Sequence, residues 1–336
     1  MVSTRPLAVV AGGSGFLGRA ISAAFEDDGY EIRHIGRTGP VRWDDPDGIA
    51  RALDGADVLV NLAGKSVNCR YTDRNRDEIL RSRVTTTRAL REAITTSDHP
   101  VRVWLNASTA TIYRHETEQA NTETTGVIGE GFSVDVARDW EHELFDGELP
   151  RTRRVALRIA IVLGDGPATR ALVTLARIGL GGPQYDGWWF PHNRYRGIGS
   201  DPSGNGRARG HRAGGRQRFS WVHVDDVVGA VRFLRDRDDI SGPVNVVSPQ
   251  STDNRGLMRA LRRTVHAPIG LPALRWMLEP AMWVLRTEPE LVLKSRWVSP
   301  EVLTMAGYRF RHPELEEALL DVVRATAGPR RHRGGR

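Results

Sequence analysis

The sequence predicts an α/β fold: a doubly wound parallel sheet with a small, mainly helical C-terminal portion. Three observations predict it. Strand-like runs alternate with helix-like runs over the first 250 residues. The first apolar run breaks into "GGSGFLG" (12–18) and then into a helix-like run. Past about residue 250, prolines and helical pieces replace the strands. Such alternation sets strands parallel and covers the sheet on both faces.

The elements follow in order. "PLAVVAG" (6–12) reads as the first strand. "GRAISAAFEDDG" (18–29) places Ala20, Ile21, Ala24 and Phe25 at helical spacing and stops at Gly29, a helix C-terminal signal. "EIRHIG" (31–36) and "DVLVNLAG" (57–64) are strands on either side of a short helix, "DPDGIARALDGA" (45–56). "TDRNRDEILRSRVTTTRALREAI" (72–94) is a long helix opening on a Thr/Asp cap. Strands at 101–108 and 154–164 enclose a helix at 133–145. A helix at 167–179 follows, then a strand at 218–224, a helix at 225–236 and a last strand at 242–248. Asp225 or Asp226 is expected to cap the 225–236 helix. "NRGLMRALRRTV" and "HPELEEALLDVVRA" read as helices of the C-terminal portion. The apolar stretch "PALRWMLEPAMWVL" (272–285) is expected to pack as core, with a homodimer contact as the alternative.

The glycines carry the first functional signal. Gly12, Gly15 and Gly18, with Gly13 beside them, sit between a strand and a helix. That is the setting of the dinucleotide fingerprint. Gly12 allows a sharp turn, Gly15 a close backbone approach to a pyrophosphate, and Gly18 tight packing of helix on sheet. Ser14, Phe16 and Leu17 complete a cradle whose helix N-terminus offers N–H groups and a positive dipole to phosphate. An NAD site usually ends its second strand on an acid. Here "HIGRTG" puts Arg37 there, and a guanidinium suits a 2′-phosphate, so the cofactor expected is NADP in preference to NAD. Arg19 is a candidate second cation.

Composition bounds the rest. The chain is 40% hydrophobic and 26% charged, and no apolar run reaches the ~20 residues that span a bilayer, so no membrane association is expected. The opening residues read as a strand rather than a signal peptide. A single cysteine, Cys69, excludes an internal disulfide and fits a cytoplasmic protein. The net charge of +7 raises the question of nucleic acid. Much of the excess is local, with seven arginines in 192–218 and four in 328–336. Nucleic-acid binding is therefore not the reading drawn. The histidines are scattered along the chain, and no metal site is expected.

With these residues in view, the chain resembles the extended short-chain dehydrogenase/reductase superfamily. More closely, it resembles its atypical NAD-dependent epimerase-like branch with a C-terminal DUF1731 domain. The resemblance runs nearly the full length through "GGSGFLG" (12–18), "GADVLVNLAGKSV" (55–67), "ILRSRVTTTRAL" (79–90), "NASTATIY" (106–113), "DWE" (139–141), "LRIAIVLG" (157–164), "GLGGP" (179–183), "FSWVHVDDV" (219–227) and "SRWVSPEVLTMAGYRFRHPELEEAL" (295–319). It implies a Rossmann-type NAD(P)-binding domain over 1–250, interrupted by a basic Gly/Arg-rich insertion at about 186–217. A DUF1731-like helical domain over 251–327 and a basic tail over 328–336 follow. It also implies that Leu62, Ala63 and Gly64 run under the adenosine and pyrophosphate. Ala107 and Ser108 would lead the next strand to Thr109, the Ser/Thr that contacts substrate near the nicotinamide.

The superfamily's Tyr-x-x-x-Lys pair is missing. Counted back from "DWE", its two positions fall near Ser133 and Ala137, or near Phe132 and Val136 with a one-residue slip. The pair normally places a proton-exchanging phenol beside a cation on one helix face. Tyr113, His115 and His223 are the candidate replacements, and Lys65, after the "NLAG" turn, is placed to reach either a phosphate or only solvent. The insertion, with Trp188, Trp189 and Phe190, reads either as a lid or as a loop excursion. Two functions are consistent with these residues. One is an NADP(H)-linked oxidoreductase or epimerase-like protein acting on a small carbonyl or sugar-type substrate by hydride transfer. The other is a non-catalytic NADPH-binding regulatory protein that has lost the pair.

Overall fold

The computed structural model describes residues 5–185, 213–284 and 293–327. The tail, Trp188, Trp189, Phe190 and all of the 186–217 insertion before residue 213 lie outside the described residues.

The first half of the chain runs β1 (Leu7–Ala11), α1 (Phe16–Asp27), β2 (Glu31–Gly36), β3 (Val41–Arg42), α2 (Pro46–Leu53), β4 (Val58–Asn61), α3 (Asp73–Thr95), β5 (Val103–Thr109) and α4 (Phe132–Phe145). The second half runs β6 (Arg153–Ile159), β7 (Ile161–Leu163), α5 (Pro167–Arg177), β8 (Arg218–Phe219), β9 (Trp221–His223), α6 (Val224–Arg235) and β10 (Gly242–Val246). It closes with β11 (Thr252–Asp253), α7 (Asn254–Thr264), α8 (Arg275–Val284), α9 (Glu301–Met305) and α10 (Leu315–Ala327).

Seven strands form one sheet in the order β3-β2-β1-β4-β5-β6-β10, and every neighbouring pair is parallel. The period of two along each strand divides its side chains between two cores. Ala8, Val58, Val60, Val103, Leu105, Val155 and Leu157 pack with Ile21 and Phe25 of α1 and Val227, Val231 and Leu234 of α6. Val9, Ala11, Leu59, Trp104 and Ala156 pack with Ile49 and Leu53 of α2, Leu90 and Ile94 of α3 and Leu144 of α4. Each buried Val, Leu, Ile or Phe side chain among these contributes about 1.5–3 kcal/mol relative to exposure. The α/β, Rossmann-like sheet is thus the one expected. The strand order reverses at β1, between β2 on one side and β4 on the other, which opens a crevice beyond the strands' carboxyl ends.

Three local expectations are corrected. The run 154–164 is two strands. After Ala160, whose N–H donates to Val246 O at 3.2 Å, β7 leaves the main sheet and pairs with β9. The run 218–224 is also broken, at Ser220, whose Oγ donates to Arg296 O at 2.8 Å and accepts from Val298 N at 2.9 Å. The cap of α6 is His223, not an aspartate: its Nδ1 accepts from Asp225 N at 3.2 Å.

The C-terminal portion is sewn onto the sheet rather than standing apart. Asn121 bridges to Val298, with Asn121 N donating to Trp297 O at 2.8 Å and Ser299 N donating to Asn121 O at 2.9 Å. Glu123 accepts from Asn245 N at 2.8 Å and from Glu301 N at 3.1 Å, so one carboxylate ties β10 to the start of α9. The stretch expected as core at 272–285 is mixed: Leu278 is buried, whereas Leu274, Trp276 and Met277 are exposed. No helix among the described residues is long and apolar enough to cross a membrane.

Candidate functional site

The crevice is built on the turn after β1. Gly12 has φ +82°, and a Cβ there would stand 3.0 Å from Leu62 C and Ala63 N. The loops after β1 and β4 therefore touch at the switch point, as close as main chain allows. Gly18 is tighter still: a Cβ would lie 2.4 Å from Gly12 O and 2.7 Å from Gly13 Cα. Gly13 packs over the ring of His34. Gly15 caps α1 without a side chain, and no acid lies in the first turn. Arg19 N is bonded back to Gly15 O at 3.0 Å, so the N–H groups of Phe16, Leu17 and Gly18 precede the first intrahelical bond and face out of the helix end. Arg19 folds its guanidinium onto Ser14 O. The result is a bare, positively polarised helix end.

The side walls come from β2 and β4. Arg37 follows β2 and is exposed, next to the half-buried Gly36. After β4, Asn61 Oδ1 accepts from Ala63 N at 3.0 Å, and Asn61 Nδ2 donates to Asn106 Oδ1 at 2.7 Å. This pins the turn Leu62–Gly64 to the middle of β5. Lys65 is engaged with α3: its Nζ donates to Asn75 Oδ1 at 3.0 Å and pairs with Glu78. That bond to Lys65 is the main reason the Glu78 carboxyl is held below its usual value, with Arg74 and Arg37 adding to it.

Arg83 is a residue that sequence reasoning left unassigned. It lies against Gly64, its Nη1 donates to Lys65 O at 3.1 Å and Ile79 O at 3.0 Å, and its guanidinium sits 5.0 Å from the Trp140 ring. Burial pulls it down to about 10, and among the described residues no carboxylate pairs with it.

The end of β5 is where a reaction would occur, and much of it is closed. Ser108 Oγ donates to Glu141 Oε1 at 2.6 Å. Glu141 is clamped by Arg158, Nε to Oε1 at 2.9 Å and Nη2 to Oε2 at 2.7 Å. Arg158 Nη1 also donates to Tyr113 OH at 2.8 Å, and that hydroxyl donates to Asn245 Oδ1 at 2.9 Å. Burial opposes the Arg158 charge, but the bond to Glu141 outweighs it and holds the guanidinium above its usual value. Tyr113 is buried, and burial pushes its phenol up despite Arg158. Its hydroxyl is engaged on both sides, which makes it a strut of this network. Thr109 is half-buried; its Oγ1 accepts from Thr111 N at 3.1 Å and its hydroxyl proton has no acceptor among the described residues. Ala107 is buried beneath it.

Of the four α4 positions where Tyr and Lys were sought, Ala137 and Val136 are buried and apolar and Ser133 is half-buried. Phe132 meets Tyr71 edge-on at 5.0 Å. His115 Nδ1 accepts from Ser295 N at 3.1 Å, which makes it a tie to the C-terminal portion. The signal for the missed network is Arg158 itself, a charge inside the apolar run "RVALRIAIVLG", which must find a buried partner.

This architecture is that of a nucleotide-crevice α/β protein. Residues 8–130 match the NAD dependent epimerase/dehydratase family, and residues 275–322 match the domain of unknown function DUF1731. The bovine epimerase family protein SDR39U1 is 30% identical over 326 residues, covering 94% of this chain and 99% of its own length. The Bacillus subtilis epimerase family protein YfhF is 27% identical over 323 residues, covering 93% and 96%. The crystal structure of human epimerase family protein SDR39U1 (isoform 2) with NADPH superimposes with a TM-score of 0.78 at 25% identity, over 95% of this chain and 99% of that one. The chain belongs to the NAD-dependent epimerase/dehydratase family, in the branch that carries a DUF1731 domain.

Proposed function

We propose that this chain binds NADP(H) in the crevice between β1 and β4 and acts on a small carbonyl or sugar-type substrate by hydride transfer. The observation that carries the reading is the side-chain-free helix end behind Gly12, emptied by glycines whose Cβ atoms would strike main chain. That cradle fits a diphosphate, for which N–H groups and a helix dipole are the natural partners. Gly12, Gly13, Ser14, Gly15, Phe16, Leu17 and Gly18 hold it. Leu62, Ala63 and Gly64 form the opposite wall, with Ala107 and Ser108 at its far end. Arg37 stands where an NAD site carries an acid and takes the 2′-phosphate. The human relative's structure with NADPH supports the choice. Arg83 adds a fixed cation for the anionic groups such ligands bring.

A bound nicotinamide would supply or accept the hydride. The chain's own part is to bind, orient and polarise. Thr109 donates its free O–H to the substrate oxygen, while Tyr113 and Arg158 hold the end of β5 in place through Glu141 and Ser108. A second reading, an NADPH-binding regulatory protein without turnover, is favoured by the buried, apolar Ala137 or Val136 at the place of the pair's Lys and by Ser133 or Phe132 at the place of its Tyr.

The test is a thermal shift of the purified chain with NADPH and with NADH, repeated on Arg37→Asp. At a hundredfold excess over Kd, binding stabilises by about 2.7 kcal/mol. NADPH should shift the transition more than NADH, and Arg37→Asp should reverse the order. No NADPH shift would overturn both readings. A shift with no turnover across a panel of carbonyl and nucleotide-sugar substrates would favour the second.

A further inference from the structure

A second cluster of reactive side chains, not used in the proposed function, lies where the sheet meets the C-terminal portion. His223 ends β9, Asp225 opens α6, His312 lies between α9 and α10, and Asp321 lies on α10. The two imidazoles stack with centroids 3.9 Å apart at 44°. His312 Nε2 is 3.2 Å from Asp225 Oδ2, and His223 Nε2 is 3.4 Å from Asp321 Oδ2. One donor atom from each of His223, Asp225 and His312 falls within 4.8 Å of the others.

We propose that His223, Asp225 and His312, with Asp321 as a fourth donor, form a binding site for a divalent transition-metal ion of the zinc class.

Four arguments carry it. Donor spacing comes first. Atoms bound to a tetrahedral zinc ion at about 2.0–2.1 Å stand roughly 3.3 Å apart, and the two imidazole–carboxylate separations are 3.2 and 3.4 Å. The second is an unmet need. His223 is 1% exposed, and its Nε2 is buried without a hydrogen-bond partner among the described residues, although Asp321 lies beside it. A buried polar atom left this way costs about 1–3 kcal/mol, which a metal bond would remove. Third, the donors are held from behind. Asp226, wholly buried, accepts from Arg311 N at 2.6 Å and His312 N at 2.9 Å, which fixes the segment bearing His312 against α6. Finally, the donor set suits the ion: two imidazoles with carboxylate oxygen match zinc, whereas calcium and magnesium prefer oxygen alone.

Proton balance follows. His223 Nδ1 now accepts from Asp225 N, so the neutral ring carries its proton on Nε2. Metal binding at Nε2 requires that proton to move to Nδ1, so the Asp225 N–H gives up its bond to the ring and α6 loses its side-chain cap in exchange for the metal bond. The His312 ring likewise binds through an unprotonated Nε2. The ion would bridge β9 and α6 to α10 and so lock the C-terminal portion to the sheet.

The test uses the full, untagged chain. It is stripped with a chelator, dialysed against Zn²⁺, gel-filtered and analysed for bound metal. One equivalent of Zn²⁺ per chain is expected, and Co²⁺ should give the intense visible absorption of a tetrahedral site. His312→Ala should lose at least tenfold in Zn²⁺ affinity. Asp321→Asn changes an exposed carboxylate and keeps the test alive should His312→Ala not fold; it should weaken binding severalfold. Retention well below one equivalent would overturn the proposal. So would Zn²⁺ affinity unchanged in both variants, because the bound metal would then lie elsewhere, on surface histidines.

Discussion

The two ends of the crevice are built on opposite principles. At the nucleotide end, side chains are absent and the main chain itself forms the wall, with Gly12 and Gly18 fixed by contacts no Cβ can enter. At the reaction end, side chains fill the space and bond to one another, from Ser108 through Glu141 and Arg158 to Tyr113 and Asn245. The first end is fixed by sterics and admits few substitutions. The second is fixed by a polar network, and such networks change partners as a group. This explains how a chain retains the glycine cradle while α4 presents Ser133 and Ala137, or Phe132 and Val136, where a phenol and an ammonium are found elsewhere in the superfamily.

The comparison can be broken at either end. The largest effect should come from Arg158→Met, which strands the Glu141 carboxylate among buried groups. Removing one partner of such a pair costs about 3–5 kcal/mol, read as the fall in urea midpoint at constant slope. Adding Glu141→Leu should restore part of the loss. If Arg158→Met alone is neutral, the network is not what holds the reaction end. Next is Thr109→Val. If substrate turns over, loss of its one free O–H should lower kcat about 10²–10³-fold, with about 0.5–2 kcal/mol of stability lost along with the bond from Thr111 N. An unaltered kcat would remove Thr109 from the chemistry.

Gly18→Ala should cost about 1–3 kcal/mol, since its Cβ meets the carbonyl of Gly12 at 2.4 Å, and it should abolish the NADPH-dependent shift. A variant that still binds NADPH normally would show that the loop yields and that the contrast between the two ends is weaker than drawn. The smallest effect sharpens the frame around both ends. Burial works against the charges of Asp57 and Asp28, yet the bonds from Arg102 and Tyr30 to Asp57, and from Arg235 and Arg232 to Asp28, hold both carboxyls below the usual value. A carboxyl depressed on folding contributes stability above its unfolded value of about 4 and loses it as pH falls through the folded one. Urea midpoints should therefore be flat from pH 7 to 5 and fall below pH 4, less steeply in Arg102→Met.

The difference between the ends also governs what the sequence reveals. The glycine cradle is local, so strand, turn and helix can be read from a dozen consecutive residues. The two-sided sheet is equally legible, because the near-continuous apolar runs of β4, β5 and β6 follow from burial on both faces. The reaction end depends on residues far apart in sequence. Arg158 finds Glu141 and Tyr113 only after β6 has paired with β5, and Tyr113 reaches Asn245 only when β10 joins the sheet. The breaks at Ala160 and Ser220 have the same origin, since partners supplied by β10 and by residues 296–298 decide them. His223 and His312 looked scattered because the turn after α9 brings them together. Nothing in the spacing of either histidine announces it.

The strap from Lys294 to Ser299, laid along Thr111–Asn121, has a consequence for how the molecule comes into being. A nascent chain that has left the ribosome as far as Ile159 already holds every strand flanking the glycine cradle. The loop beyond Thr109 still lacks its covering. Synthesis must run some 140 residues further before that end is roofed, as the interval from Ile159 to Ser299 shows (299 − 159 = 140). During this interval the growing polypeptide holds the strands of the nucleotide end, while α1 still awaits the face of α6 that packs on Ile21 and Phe25 and the end of β5 awaits its cover.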